Sequence, residues 1–255
     1  MTEAQATVRV RPFACGWLTA KDAGFLMKGL TGDIRLPIPS YLVEHPSGQL
    51  ALFDTGLHPD LRTSTDRLRS SADIFKVHYQ EGESVGERLQ AMGVDPASIN
   101  KIVFSHLHFD HCGGTLELPN ARIVVQAAEW AAGHKEKLIA NDVYNPNDFD
   151  LGHDVEEIDG RHDVFGDGSV VCVPTPGHTA GHQSLQLRTA QGDVVLCGDA
   201  CYFRKALETL TTPAFGFDLE RQQASMKLLA ELERSGANLW FGHDVEQWES
   251  LPAVV

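Results

Sequence analysis

The stretch Ser105-His106-Leu107-His108-Phe109-Asp110-His111-Cys112-Gly113-Gly114 decides the reading of this chain. It follows Lys101-Ile102-Val103-Phe104, an apolar run that reads as a short buried strand. Four potential metal ligands, His106, His108, Asp110 and His111, fall within six positions. Alternate residues on an extended segment project to the same side, so His106 and His108 can share one ion. Asp110 and His111 lie further round, where the chain must turn, and can reach a second. Gly113 and Gly114 allow that turn without a Cβ clash. A purely structural cluster would need several buried polar groups paired at once. Imidazole and carboxylate are the donors that zinc and similar first-row metals take.

Working outward, three more polar residues sit at strand ends beside glycine, where a loop can aim them inward. His178 ends Pro176-Gly177-His178, Asp199 lies in Gly198-Asp199-Ala200, and His243 closes Phe241-Gly242-His243. Asp199 has two carboxylate oxygens and can bridge two ions.

The rest of the pattern is strand-rich. Ser40 to Glu44 and Leu50 to Phe53 flank a Pro/Gly turn and read as a hairpin ended by Asp54-Thr55-Gly56. Further strands are expected at Ile123 to Val125, Val170 to Val173, Ser184 to Leu187, Val194 to Leu196 and Leu239 to Phe241. Ser84 and Glu87 form a capping-box pattern for a helix over Val85 to Met92, and a short helix follows near Ala127 to Ala132. The clearest helix spans Leu219 to Ser235, capped by Asp218, stopped by Gly236, with Leu219, Met226, Leu229 and Leu232 as its buried stripe. Leu57 to Gly82 reads as an irregular lid or a homodimer contact, and Asn141 to Asp163 as loop. Hairpins with interleaved helices point to a helix-flanked pair of sheets, folded as one domain over residues 1–255.

Composition narrows the function classes. The chain has 255 residues and a formal net charge of −14, with no basic stripe, which argues against nucleic acid and anionic membrane surfaces as partners. The five cysteines show no CxxC or zinc-ribbon spacing and read as reduced thiols. The stretch MTEAQATVRVRPFACGWLTA has no basic segment followed by an apolar run, and no stretch approaches the ~18 apolar residues of a membrane span. A cytoplasmic location is the expectation.

The pattern His-x-His-x-Asp-His, a Gly-His turn, an Asp and a late Gly-His resembles the metallo-β-lactamase superfamily from Asp54-Thr55-Gly56 to His243. The resemblance implies an α/β fold, the αββα four-layer sandwich, with two mixed sheets flanked by helices and the metals at one edge. It implies two divalent ions, zinc first among the candidates. His106, His108 and His178 would hold one, Asp110, His111 and His243 the other, with Asp199 bridging. Within the superfamily, Ser-His-Leu-His-Phe-Asp-His and Gly198-Asp199-Ala200-Cys201-Tyr202 are similar to the N-acyl-homoserine lactonases, the quorum-quenching branch, and Tyr202 resembles their catalytic tyrosine. The 4-pyridoxolactonases share much of this pattern, including the Cys-Gly-Gly.

The implied activity is hydrolysis of a small-molecule lactone by a metal-bridging hydroxide, with Tyr202 stabilising the oxyanion and Asp110 passing a proton to the leaving alkoxide. No GxSxG motif offers a serine nucleophile instead. Other lactones, esters, thioesters and phosphotriesters are the competing substrates. A reading of another class is a di-iron redox or interaction module. His182 is expected as a hydrogen-bonded core residue near the ligands. Histidines 45, 58, 78, 134, 153 and 162 are expected on the surface or in loops. Phe109 is a candidate pocket residue, and Trp17, Phe25 and Met27 are candidates for contact with an acyl tail.

Overall fold

The computed structural model describes residues 6–255, so the first five residues of the N-terminal stretch read for a targeting signal lie outside the described residues. The first sheet takes β1 (Arg9–Ala20), β2 (Ile34–Glu44), β3 (Leu50–Phe53), β4 (Phe75–His78), β5 (Lys101–Val103), β6 (Arg122–Gln126) and β7 (Val155–Ile158) in the order β4-β1-β2-β3-β5-β6-β7. Its β1 to β4 half is antiparallel and its β3-β5-β6-β7 half parallel. The second sheet takes β8 (His162–Asp163), β9 (Val170–Pro174), β10 (Gln183–Thr189), β11 (Gly192–Leu196) and β12 (Asn238–Trp240) in the order β12-β11-β10-β9-β8, with only β11 and β12 parallel.

Both faces of each sheet are covered, and the side-chain alternation shows how. In β6, Ile123 and Val125 face one way and Val124 the other; in β5, Ile102 and Val103 divide likewise. Val103, Val124 and Phe53 meet Val170, Leu185, Leu187, Leu196 and Trp240 of the second sheet, which makes the central core. Ile102, Ile123 and Val125 pack outward against α1 (Val85–Ala91) and α3 (Ala127–Gly133), through Val85, Leu89 and Ala132. On the far side Val195, Cys197 and Leu239 pack against Met226 and Leu229 of a long helix, Leu219–Arg234. The layers are therefore helix, sheet, sheet, helix. The remaining helices are α2 (Phe109–Cys112), α4 (Glu136–Ala140), α5 (Arg204–Thr209) and α7 (Val245–Ser250), and the long helix is α6.

Several expectations change. Asn141 to Asp163 is not all loop, because it carries β7 and β8. These are edge strands whose acidic and polar residues suit an exposed edge and erase the apolar alternation. Leu57 to Gly82 contains two 3₁₀ segments and the edge strand β4. Leu219 is exposed, and the buried face of α6 is Gln222, Ser225, Met226 and Leu229, with Leu232 half-buried. His58 is buried rather than superficial and accepts the Asp60 N–H, capping the turn Pro59–Arg62. The capping box of α1 is present as read, with Ser84 and Glu87 bonded reciprocally.

Candidate metal centre

The polar loops gather where the strands end. Asp54 follows β3 and His106 follows β5, and these two strands are parallel. His178 follows β9, Asp199 β11 and His243 β12, three strands that run in one direction. After β5 the chain runs without regular structure to His108, which has φ −73 and ψ 156, and then makes the single turn α2 that carries Asp110 and His111. Gly113 is needed here for proximity rather than for an unusual backbone. Its φ is −63, but a Cβ would lie 2.3 Å from the His58 nitrogen.

All seven residues named from the sequence come together, in two groups. One ligand atom each from His106, His108, His178 and Asp199 lie within 4.8 Å of one another, and so do those of Asp110, His111 and His243. His108 Nδ1 is 2.9 Å from His106 Nε2 and 3.0 Å from His178 Nε2. Asp199 faces both groups. Its Oδ2 is 3.3 Å from His178 Nε2 and 3.8 Å from His106 Nε2, while Oδ1 is 3.1 Å from His243 Nε2 and 3.3 Å from His111 Nε2. Asp110 Oδ2 is 3.7 Å from His111 Nε2 and 3.9 Å from His243 Nε2.

The imidazoles are held from behind. His106 Nδ1 meets Ser105 Oγ at 2.9 Å, His111 Nδ1 meets Asp54 Oδ2 at 2.8 Å, and His243 Nδ1 meets the Pro37 carbonyl at 2.8 Å. Such contacts fix which ring nitrogen is free to ligate. His182 is a core residue: its Nε2 accepts the Asp199 N–H at 3.0 Å and its Nδ1 meets Thr175 Oγ1 at 3.0 Å. Gln222 on α6 donates to the Asp199 carbonyl at 3.0 Å, which explains a polar residue on that helix's buried face.

This donor set fits cations. His111 Nε2 and Asp199 Oδ1 are buried and lack hydrogen-bond partners, although they lie only 3.3 Å apart. Burial, reinforced by the neighbouring rings, holds His106 and His178 well below the usual histidine range and His108 down to about 4, so these three are neutral, the state in which an imidazole can bind a cation. For His111 and His243 burial opposes the charge, but Asp199 and Asp110 outweigh it and raise both. That half of the site is thus rich in negative charge, which a bound cation would neutralise in place of protons.

Tyr202 is buried with its hydroxyl 3.4 Å from His178 Nδ1; burial, then Asp199 and Asp110, push the phenol pKa well up. A cavity of about 440 Å³ opens over His108, Asp110, His178, Asp199, Tyr202 and His243. Its outer wall is apolar and includes Phe25, Leu26, Ile74, Phe75, Phe109 and Phe215. Phe109 and Phe25 thus line the cavity, whereas Met27 packs in the core and Trp17 lies under the Arg35 guanidinium at 3.9 Å. All five cysteines are buried free thiols, outside both ligand groups.

Asp54 and Glu129 escaped the sequence reading. Asp54 looked like a hairpin end; its aspartate beside Thr-Gly, directly before the strand pairing that leads to His106, was the available signal. Glu129 stood alone in an alanine-rich helix and gave none.

The profile of the metallo-beta-lactamase superfamily matches residues 33–235. N-acyl homoserine lactonase AttM of Azorhizobium caulinodans is 31% identical over 256 residues, covering 96% of this chain and 96% of that protein. N-acyl homoserine lactonase AiiA of Bacillus thuringiensis subsp. kurstaki is 33% identical over 223 residues, covering 85% of each. A solved structure of a B. thuringiensis AiiA mutant with N-decanoyl-L-homoserine at the active site superposes with a TM-score of 0.83 at 28% identity, covering 98% of both chains. An N-acyl homoserine lactone hydrolase with the product N-hexanoyl-L-homoserine at its catalytic metal centre also superposes with a TM-score of 0.83, at 28% identity over 98% of both chains. With the layered fold, the facing ligand groups and these likenesses together, this chain belongs to the metallo-beta-lactamase superfamily.

Proposed function

We propose that this protein is a metal-dependent hydrolase that opens the lactone ring of N-acyl-homoserine lactones, the whole chain acting as one domain. The observation that carries the reading is the join between the two ligand groups and the aromatic cavity above them. Relatives named as lactonases along nearly the whole chain support it.

His106, His108 and His178 would hold one divalent ion, Asp110, His111 and His243 a second, with one oxygen of Asp199 turned to each; zinc suits this donor set. Bound there, the ions supply Lewis acidity and a nucleophile from water near neutral pH. The protein supplies the rest. Tyr202, buried beside His178 and open to the cavity, donates its O–H to the oxygen that gains charge as the ring carbonyl becomes tetrahedral. Asp110 faces the cavity and carries a proton to the departing alkoxide. The aromatic wall takes the acyl tail and excludes water from it. A substrate without charge suits a cavity lined by no Lys or Arg.

Five reduced thiols, all buried, suit a cytoplasmic enzyme. No helix among the described residues is long and apolar enough to cross a membrane. The segment Leu57 to Gly82 stays our candidate for a homodimer contact. The substrate needed is a small molecule, and a surface of this net negative charge gives no footing to nucleic acid.

The deciding experiment is a pH-indicator assay on zinc-loaded protein with acyl-homoserine lactones of several tail lengths, 4-pyridoxolactone, a thioester, a phosphotriester and a β-lactam. Rapid opening of the acyl-homoserine lactones, lost on chelation, is expected. Turnover of another arm alone would reassign the substrate, and bound iron with oxidase activity would overturn the hydrolase.

A further inference from the structure

A fully buried carboxylate, Glu129 on α3, lies behind the centre and takes no part in the chemistry above. Its Oε1 accepts the Leu107 N–H at 3.1 Å and the Tyr144 hydroxyl at 3.0 Å. Its Oε2 accepts the Gly181 N–H at 2.9 Å. Leu107 separates His106 from His108, and Gly181 lies between His178 and His182. The two loops come from different sheets, one after β5 and the other after β9. Tyr144 in turn lays its ring against His108, with centroids 5.6 Å apart and planes inclined by 34°.

The contact is built for closeness. A Cβ on Gly181 would fall 2.3 Å from the Glu129 nitrogen, so only glycine lets this loop reach α3. Among the described residues no Lys, Arg or His forms an ion pair with Glu129. Burying a carboxylate without a cation is costly unless its hydrogen bonds answer it. Three donors converge on this one.

We infer that Glu129 is a positioning residue for the first metal site: one carboxylate holds the His106–His108 loop and the His178 loop at the spacing their shared ion requires, and through Tyr144 fixes the ring of His108. The inference rests on the metal reading of the site but not on the identity of the substrate. Any ion held by these three histidines needs two independent loops in register. Ligand orientation set from behind in this way typically governs metal affinity by about 10- to 100-fold.

Glu129→Gln keeps the shape and removes one acceptor. Its amide NH₂ must face either the Gly181 N–H or the Leu107 N–H, donor against donor, so one loop is released while the packing of α3 stays. The experiment is cobalt(II) and zinc(II) titration of the metal-free variant and wild type against a competing chelator. The cobalt absorption spectrum and the melting temperature of each metal-free form are recorded alongside. The expected result is a loss of about tenfold or more in affinity for one of two ions, with an altered cobalt spectrum and a metal-free melting temperature close to wild type. An affinity within about twofold of wild type for both ions, from a folded variant, overturns the inference. If Glu129→Gln does not fold, Glu129→Asp decides by the same two criteria, since it keeps the charge and is too short to hold both the Leu107 and the Gly181 N–H. A wild type that binds both ions but opens no lactone would sink the substrate reading and leave this test intact.

Discussion

Asp54 Oδ2 accepts a hydrogen bond from His111 Nδ1 at 2.8 Å, and the same aspartate accepts the Ser105 N–H through Oδ1 at 2.7 Å. One buried carboxylate thus sets the tautomer of His111 and anchors the start of the ligand loop. With Nδ1 as donor, Nε2 is left bare and turned toward Asp199 and Asp110. Asp54→Asn is nearly isosteric, but its oxygen is best spent on the Ser105 N–H. Its NH₂ then faces His111 Nδ1, which must become an acceptor, so the proton moves to Nε2 and blocks ligation. The expected outcome is about 10- to 100-fold weaker binding of one of two zinc ions. Unchanged stoichiometry and affinity by chelator competition would remove Asp54 from this role.

Tyr202→Phe separates oxyanion stabilisation from metal retention. The hydroxyl is 3.4 Å from His178 Nδ1, too long to be the main restraint on that ring, and it borders the cavity. Loss of a single oxyanion donor costs about 10²- to 10³-fold in kcat. The variant should therefore keep its full metal content by elemental analysis while kcat for an acyl-homoserine lactone falls by about 100-fold. Equal kcat with the metals in place would show that the phenol is only packing.

The gathering of His106, His108, Asp110 and His111 was legible because four polar residues crowd six positions after an apolar run, a pattern burial alone does not tolerate. The strands beside that motif were legible for the same reason, since both their faces are covered and they read as apolar runs, but the interior strand β1 (Arg9–Ala20) and the first half of β2 were not read. Edge strands were not. Val155-Glu156-Glu157-Ile158 carries charges that suit an unpaired edge, and β4 alternates too briefly to register. The buried stripe of α6 was misread at Leu219 because the helix begins beside the loop that carries Asp199. There Gln222 is buried for its bond to Asp199, an apolar-pattern rule broken by a site. The cavity wall was least legible. Phe25, Phe75, Phe109 and Phe215 come from four distant segments, and only topology brings them together.

Acid should remove a specific part of the stability. Burial would raise the Glu87 carboxyl, but Arg62 and the Ser84 cap outweigh it and hold it at about 2, against an ordinary 4.5. A folded pKa below the unfolded one gives stability that is complete above about 4.5 and is lost as pH falls toward 2. The carboxylate is nearly a third exposed, so its whole contribution is about 1 kcal/mol after solvent screening. Glu87→Gln should accordingly melt below wild type at about pH 7, with the gap closing as the pH is taken down through about 4 toward 2. A gap constant with pH would mean that shape, not charge, carries the capping box.

Two ion pairs join the segments that frame the cavity mouth. Arg67 reaches Asp148 at 2.5 Å and Arg69 reaches Asp142 at 3.1 Å, while Arg67 also holds Asp60 of its own segment at 2.9 Å. Ser70 and Ser71 on one side and Asn141 to Val143 on the other line the cavity between them. The pairs are unequal. Arg69 and Asp142 are substantially exposed and contribute little, whereas the Asp148 side chain is only 2% exposed. Burial pushes the Asp148 carboxyl up and Arg67 opposes it. Arg67→Met removes the charge and leaves Asp148 with Asn145 as its remaining side-chain donor. Breaking a fully buried pair costs about 3–5 kcal/mol, and with Arg67 a quarter exposed we expect about 2 kcal/mol. The loss should appear as a lower melting temperature. It should also raise KM for long-tailed lactones by several-fold at unchanged kcat, because neither of the two segments contributes a residue to the two His/Asp groups. A lower melting temperature with KM equal to wild type would confine Arg67 to stability and free the two segments from any part in holding substrate.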